Sequence, residues 1–311
     1  MTSTERNVAI VGTGLIGRAW AAIFARAGWN VRLTDPHVPT LAAAPRLIRD
    51  ELHALARHGL AADPDGAVAR VSVAGSLQEA VMDVEFVQEN GPEKVEEKKI
   101  IFAELDKLAP PDALLVSSTS AITASRFTEM LPGRARCLVG HPVNPPHLIP
   151  LVEIVGGAKT SEQTIGRVAE FYTALGKRTI RLHKEVPGHV ANRLQAALWR
   201  EVVHLVDSGV VSVSDADTAV CWGPGLRWGV MGPNLLFHLG GGAGGIEHFF
   251  DQFTGPMTAW WKVLGSPEIT PELRKKIVAG VLEEAGTRSL EELAAQRDED
   301  LLGLLAVRAR T

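Results

Sequence analysis

Cysteine is scarce in this 311-residue chain. Only Cys137 and Cys221 occur, in no C-x-x-C spacing, so a disulfide framework and a thiolate zinc or dithiol redox site are excluded. That scarcity fits a reducing, cytoplasmic setting. Long apolar runs are missing too, none approaching the ~18 residues that cross a bilayer. The first ten residues set Glu5 and Arg6 ahead of a short apolar run, without the basic start and apolar core of a secretory leader, so a soluble, unprocessed chain is expected. Like charges do not cluster. Lys and Arg number 32 against 36 Asp and Glu, a net charge of −4, which leaves no stripe for nucleic acid and no acidic tail. A G-x-S-x-G elbow is also absent, so Ser117, Ser118 and Ser120 are poor candidates for a hydrolytic nucleophile.

What is present is the composition of an ordinary globular protein, 46% hydrophobic and 22% charged, in a chain long enough for two domains at about 150 residues each. Short apolar or β-branched runs at 8–11, 31–34, 84–88, 113–117, 136–139, 151–155 and 178–182 read as strands, with helical patterns between several of them. That alternation implies an α/β doubly wound parallel sheet. Turn chemistry at 183–188 (HKEVPG) ends it, and the domains are placed at 1–186 and 187–311, the second all helical. In 189–207 the residues Val190, Leu194, Ala197, Leu198, Val202 and Leu205 mark one buried helix face. Residues 214–217 read as the cap of the next helix. Five of the seven Trp and a glycine run at 240–245 fall in the second part, the run reading as a helix connection or a substrate-approach loop.

The strongest motif is at the start. Val8–Val11 runs into Gly12-Thr13-Gly14-Leu15-Ile16-Gly17 and an Ala-rich helix, and Asp35 closes the next strand. The first glycine permits a tight turn, the second lets a pyrophosphate approach the backbone, the third lets helix and strand pack, and the helix N-terminus offers its free N–H groups to phosphate. Dinucleotide binding is expected. Asp35 is placed for the ribose hydroxyls and would repel a 2′-phosphate, which favours NAD over NADP.

Ligands of open parallel sheets bind beyond the carboxyl ends of the strands, so the residues just past them carry the chemistry. These are Glu89 to Glu93, Ser118 to Ser120 and His141 to Pro146, with Glu153 on the following strand. A carboxylate beside a histidine fixes its tautomer and stabilises the imidazolium, making a general base for an alcohol proton as hydride leaves for NAD. Taken singly, His141 also reads as a hydrogen-bonded loop residue and Glu153 as an ordinary strand carboxylate. A metal set of His141, His147 and Glu153 has no recognised ligand spacing, and no metal is expected. His183, His189, His204, His238 and His248 read as structural or surface groups. Asn192 either caps its own helix or faces the site.

The motifs GTGLIG (12–17), QENGPE (88–93), SSTSAI (117–122), GHPVNPPHLIPLVEIV (140–155) and KEVPGHVANRLQ (184–195) resemble the 3-hydroxyacyl-CoA dehydrogenase family almost end to end, and within it the branch of lambda-crystallin (L-gulonate 3-dehydrogenase) and the carnitine 3-dehydrogenases. The resemblance implies a Rossmann-like domain followed by an all-α domain that forms a homodimer, and an NAD-dependent oxidoreductase interconverting a short L-3-hydroxy acid and its 3-oxo form. It makes His141 the base and Glu153 its partner, with Ser120 and Asn192 on the substrate oxygen. Glu93 and Lys98 fall at cofactor-contacting positions, Asp35 at the ribose acid, and Asn144 lines the nicotinamide pocket.

The chain departs from the hydroxyacyl-CoA pattern at 40–60, where CoA-holding members use Ser and Lys; here there is no lysine, only Arg46, Arg49 and Arg57. A free carboxylate is therefore favoured over a CoA thioester. Arg227 is the candidate cation for it, its alternative a structural arginine. Trp222, Trp228 and Phe237 offer aromatic faces to a quaternary ammonium, or else belong to the core or a dimer contact. Two alternatives stay open: a hydroxyacyl-CoA dehydrogenase proper, and a non-catalytic dinucleotide-binding crystallin. The 3-hydroxyisobutyrate-type enzymes, which use a lysine, are disfavoured because 188–207 contains none.

Overall fold

A computed structural model describes residues 6–308. Its first elements are β1 (Asn7–Val11), α1 (Leu15–Arg26), β2 (Asn30–Thr34), α2 (Val38–Arg57), α3 (Pro64–Ala69), β3 (Val71–Val73), α4 (Leu77–Val81), β4 (Phe86–Glu89), α5 (Val95–Leu108) and β5 (Leu114–Ser117). Then come α6 (Ser125–Thr128), β6 (Cys137–Pro142), β7 (Leu151–Gly156), α7 (Glu162–Ala174) and β8 (Arg178–Leu182). The rest is helical: α8 (Ala191–Asp207), α9 (Val213–Trp222), α10 (Pro224–Trp228), α11 (Pro233–Gly240), α12 (Gly245–Trp261), α13 (Pro271–Ala285) and α14 (Leu290–Arg308). Two compact units divide between Arg193 and Leu194, inside the first turn of α8.

The first unit is built on one eight-stranded sheet of order β3-β2-β1-β4-β5-β6-β7-β8, parallel throughout except for the β6–β7 pair. This is the doubly wound order with its switch point between β1 and β4. Strands covered on both faces read as near-continuous apolar runs, and β1 shows why. Val8 and Ile10 enter the core on one face with Trp20, Phe24 and Phe86, whereas Ala9 and Val11 enter the other with Val87, Phe102 and Leu115. Seven strands were expected and eight are present. The eighth, β3, is three residues at the sheet edge with two of them exposed, too short to leave a pattern.

In the second unit α9 packs on α10 and α13, and α11 on α12. The glycine run forms a 3-10 turn joining α11 to α12, which is the connection reading. Two local expectations shift. The cap of α9 is Ser212, whose Oγ accepts from Asp215 N–H at 3.0 Å, because the S-x-x-D spacing that closes a helix start lies at 212–215. In α8 the buried side chains are Val203 and Val206, while Leu194 is 67% exposed and Val190, Ala197 and Leu198 are also exposed. An apolar stripe requires a partner surface, and that stretch is left exposed among the described residues.

Candidate active site

The glycine motif folds as its spacing requires. Gly12 has φ +89°, and a Cβ there would meet the Asn90 backbone at 2.8 Å; a Cβ on Gly17 would lie 1.9 Å from Gly12 O. Gly14 faces open space, with nothing within 4 Å of a Cβ built on it. The helix α1 that begins there has no side-chain cap and no acid in its first turn, so its leading N–H groups and dipole are free to receive a phosphate. The residues present therefore fit a dinucleotide. Asp35, at the end of β2, accepts from Thr13 N–H at 2.7 Å, Thr13 Oγ at 3.1 Å and His37 N–H at 2.8 Å. Those bonds hold its carboxylate beside the glycine turn.

Beneath the turn lies a polar network that sequence reasoning missed. Trp20 Nε1 and Gln88 Nε2 donate to Ser118 Oγ, Ser118 donates to Asn90, and Tyr172 OH donates to Gln88 Oε1, all within 3.1 Å. Gln88, Glu89, Lys98 and Ser117 are fully buried. The Lys98 ammonium sits 3.0 and 2.9 Å from the two oxygens of Glu89, which also accepts from Ser117 Oγ at 2.5 Å and Gly91 N–H at 2.6 Å. Lys98 thus braces the loop after β4 from within. Of the three strand-end serines, Ser117 and Ser118 are consumed by this scaffold. No periodicity announces such a network, since its members come from α1, β4, β5, α5 and α7.

Glu93 organises the next loop. Its Oε1 accepts from Thr119 Oγ at 2.5 Å, Ala121 N–H at 2.9 Å and Ser120 N–H at 3.1 Å, and Ser120 Oγ lies 3.5 Å away. Asn192, in the first turn of α8, donates from Nδ2 to Ser120 O at 3.0 Å. By sequence Asn192 either caps its own helix or faces the site; the structure joins it to the Ser120 loop, 72 positions earlier in the chain.

His141 and Glu153 meet through the antiparallel β6–β7 pair, in which they are register partners. Directly opposed residues share a face, so the spacing of twelve closes into a contact: Nδ1 of His141 lies 2.7 Å from Glu153 Oε2. Both side chains are buried. The second carboxylate oxygen accepts from Val190 N–H at 2.8 Å and Ala191 N–H at 3.0 Å, where the chain enters α8. Burial alone would push the Glu153 carboxyl upward; the hydrogen bonds from His141, Ala191 and Val190, with the His141 charge, outweigh it and hold it below the usual carboxylate range. An ionised Glu153 keeps the proton of a neutral His141 on Nδ1 and leaves Nε2 as the basic nitrogen.

His147 does not join this pair. Its Nδ1 sits 2.9 Å from Glu51 Oε1 on α2, so His141, His147 and Glu153 form no common cluster. Asn144 is exposed, at the Asn144–Pro145 cis peptide. Lys177, at the start of the turn into β8, donates to the carbonyls of Pro146 and Ile149 and sits over the Trp20 ring, 5.3 Å from its centroid, which ties down the loop that follows His141. Arg227 is exposed on α10 of the second unit. Trp222 and Trp228 are exposed as well, whereas Phe237 is half-buried and stacks on Phe249 at 4.6 Å.

Comparison with known proteins decides the lineage. Residues 7–186 match the family model of the 3-hydroxyacyl-CoA dehydrogenase NAD binding domain, and residues 188–283 match that of the C-terminal domain. The chain belongs to the 3-hydroxyacyl-CoA dehydrogenase family. It is 43% identical to an L-carnitine dehydrogenase of Streptomyces coelicolor, over 100% of this chain and 98% of that one. An L-carnitine dehydrogenase of Pseudomonas putida is 40% identical, over 96% and 93%. Among solved structures, the NAD+-dependent dismutase 5-formyl-3-hydroxy-2-methylpyridine 4-carboxylic acid 5-dehydrogenase superposes with a TM-score of 0.84 at 28% identity, covering 98% of this chain and 99% of that one. This family member is an NAD-dependent oxidoreductase acting on CH–OH groups. Among the described residues, no helix is long and apolar enough to cross a membrane.

Proposed function

We propose that this enzyme oxidises L-carnitine, or a short L-3-hydroxy acid very like it, to the 3-oxo acid, with His141 as the base. The observation that carries the substrate is the 43% identity to an L-carnitine dehydrogenase over the full length of this chain. The missing lysine at 40–60 supports a free carboxylate over a CoA ester, as does the free carboxylic acid in the name of the dismutase.

In this reading Gly12 to Gly17 and Asp35 hold the dinucleotide, with Glu93, Lys98 and Asn144 shaping the nicotinamide side. Bound NAD supplies the hydride acceptor. Nε2 of His141 takes the hydroxyl proton, and Glu153 stabilises the imidazolium through Nδ1–H. Ser120 Oγ and the Asn192 amide orient the substrate oxygen. Arg227 pairs with the carboxylate, and Trp222 and Trp228 face the quaternary ammonium. We further infer that residues 1–186 form the NAD-binding domain and 187–311 the substrate and dimerisation domain. A second copy of the chain then covers the exposed apolar side chains of the second unit, among them Leu194, Leu198, Trp199, Trp260 and Trp261. The setting is cytoplasmic.

Initial rates with NAD on L-carnitine, L-gulonate, 3-hydroxybutyrate and its CoA ester test the reading. The expected outcome is the highest kcat/KM on L-carnitine. A higher value on the CoA ester would make the protein a hydroxyacyl-CoA dehydrogenase proper, and no turnover of any hydroxy acid would favour the non-catalytic crystallin reading.

A further inference from the structure

A second imidazole stands beside the His141–Glu153 pair. His189 is fully buried, and its ring centroid is 5.2 Å from that of His141. It is the one non-glycine residue with positive φ among the described residues, at +50°. A side chain in that region carries strain that the surrounding structure must hold. The same turn aims Val190 N–H and Ala191 N–H at Glu153, so residue 189 is built into the support of the dyad.

The ring's own bonding defines its state. Nε2 lies 3.2 Å from Thr119 O, and a carbonyl only accepts, so Nε2 carries the hydrogen. Nδ1 is then a bare lone pair. It is buried and has no hydrogen-bond partner among the described residues, an arrangement that is costly unless something donates to it. The titratable groups acting on the ring are His141 on β6, Glu153 on β7 and Glu93 in the loop after β4. Burial first, and then the His141 charge, hold His189 below the usual histidine range against the opposing pull of Thr119 O and the two carboxylates, which keeps it neutral.

We propose that His189 is a positioning residue for the proton transfer: its buried, unpartnered Nδ1 lone pair, on a ring 5.2 Å from that of His141, stabilises the His141 imidazolium electrostatically while Nε2–H of His141 stays on the substrate oxygen. The substrate O–H bond breaks, the new N–H bond forms on His141, and hydride leaves to the nicotinamide, while His189 makes and breaks no covalent bond. The inference rests on His141 being the base.

Ring-nitrogen NMR of the enzyme without NAD tests it independently of turnover. In the native protein at neutral pH, His189 is expected as the Nε2–H tautomer; the Nδ1–H tautomer or an imidazolium would overturn the proposal. His189→Gly, which fits the positive φ, and His189→Phe, which keeps the bulk, are expected to move the His141 titration to lower pH by about half to one unit, since the charged form loses the neighbouring lone pair. The acid limb of kcat/KM for alcohol oxidation should move with it. His189→Asn, whose side-chain oxygen accepts and which tolerates positive φ, should restore at least about half of the shift. A titration unmoved within about 0.2 unit in the Gly variant sinks the proposal, whatever happens to kcat or melting temperature. If no hydroxy acid is turned over, the functional reading fails while the titration still decides the role of His189.

Discussion

The two units of this chain differ in how completely they bury themselves. In the first, β1 and β4 are closed on both faces, and even polar groups such as Glu89, Lys98 and His141 are buried with partners. In the second, the buried apolar side chains reduce to a few such as Val203, Val206, Phe249 and Leu273, while Trp222 and Trp261 are 77% and 67% exposed. A sheet wrapped by helices completes its own core, and it can therefore hold a base and its carboxylate at fixed distance. Helices that leave aromatic surface exposed do not complete a core in this way, and in the proposed function that surface goes to a second copy and to substrate.

Substitutions on each side break or sharpen that contrast. The largest effect is expected from His141→Gln, which should lower kcat about 10³-fold in both directions while NAD affinity, measured by fluorescence titration, stays within about threefold. Near-normal turnover would remove His141 from the chemistry. On the other side, Arg227→Ala should raise KM for a free hydroxy acid about 10- to 100-fold with little change in kcat, the pattern of lost ground-state binding; a fall in kcat with KM unchanged would make Arg227 something other than a carboxylate anchor. Replacing Leu194 and Trp199 together by Glu should convert a dimer to monomer in sedimentation and leave the melting temperature of a monomeric chain nearly untouched. An unchanged sedimentation coefficient would mean that the apolar stripe of α8 is not the contact.

The smallest effect concerns pH. Burial, with the charge of Arg26, pushes the Lys177 ammonium down from 10.5 to about 7. The folded chain then binds fewer protons than the unfolded one between about pH 7 and 10.5, so stability rises with pH across that window and is lost as pH falls through about 7. Lys177→Met should flatten that rise, by at most about 1.4 kcal/mol per pH unit, in denaturant midpoints. A slope identical in the variant would show that the carbonyls of Pro146 and Ile149 keep the ammonium charged.

The contrast also separates what was legible in the chain from what was not. Local chemistry was legible. Strand runs, the glycine spacing and the acid at the end of β2 are sequence-adjacent demands of one turn and one helix, so GTGLIG and Asp35 could be read directly and folded as read. His141 and Glu153 are legible as a candidate pair from their places on successive strands, and the resemblance strengthens the pairing; what joins them is the antiparallel turn of β7 against β6, where pattern alone suggests another parallel strand.

His189 shows the limit most clearly. By sequence it was one histidine among several in structural or surface positions, yet a positive φ at residue 189 and a carbonyl at residue 119 bury it against His141. The exposed face of α8 shows the converse. Spacing establishes that an apolar stripe exists, but burial depends on what lies opposite, and among the described residues Leu194 and Leu198 stay exposed. The sequence by itself determined the elements, the dinucleotide turn and the residue types of the chemistry, because these follow from short-range sterics and periodicity. Tertiary structure alone decided which charges share a buried contact, which imidazole is left with an unpaired nitrogen and which apolar face stays uncovered, because those outcomes belong to pairs of residues that only the packed sheet brings together.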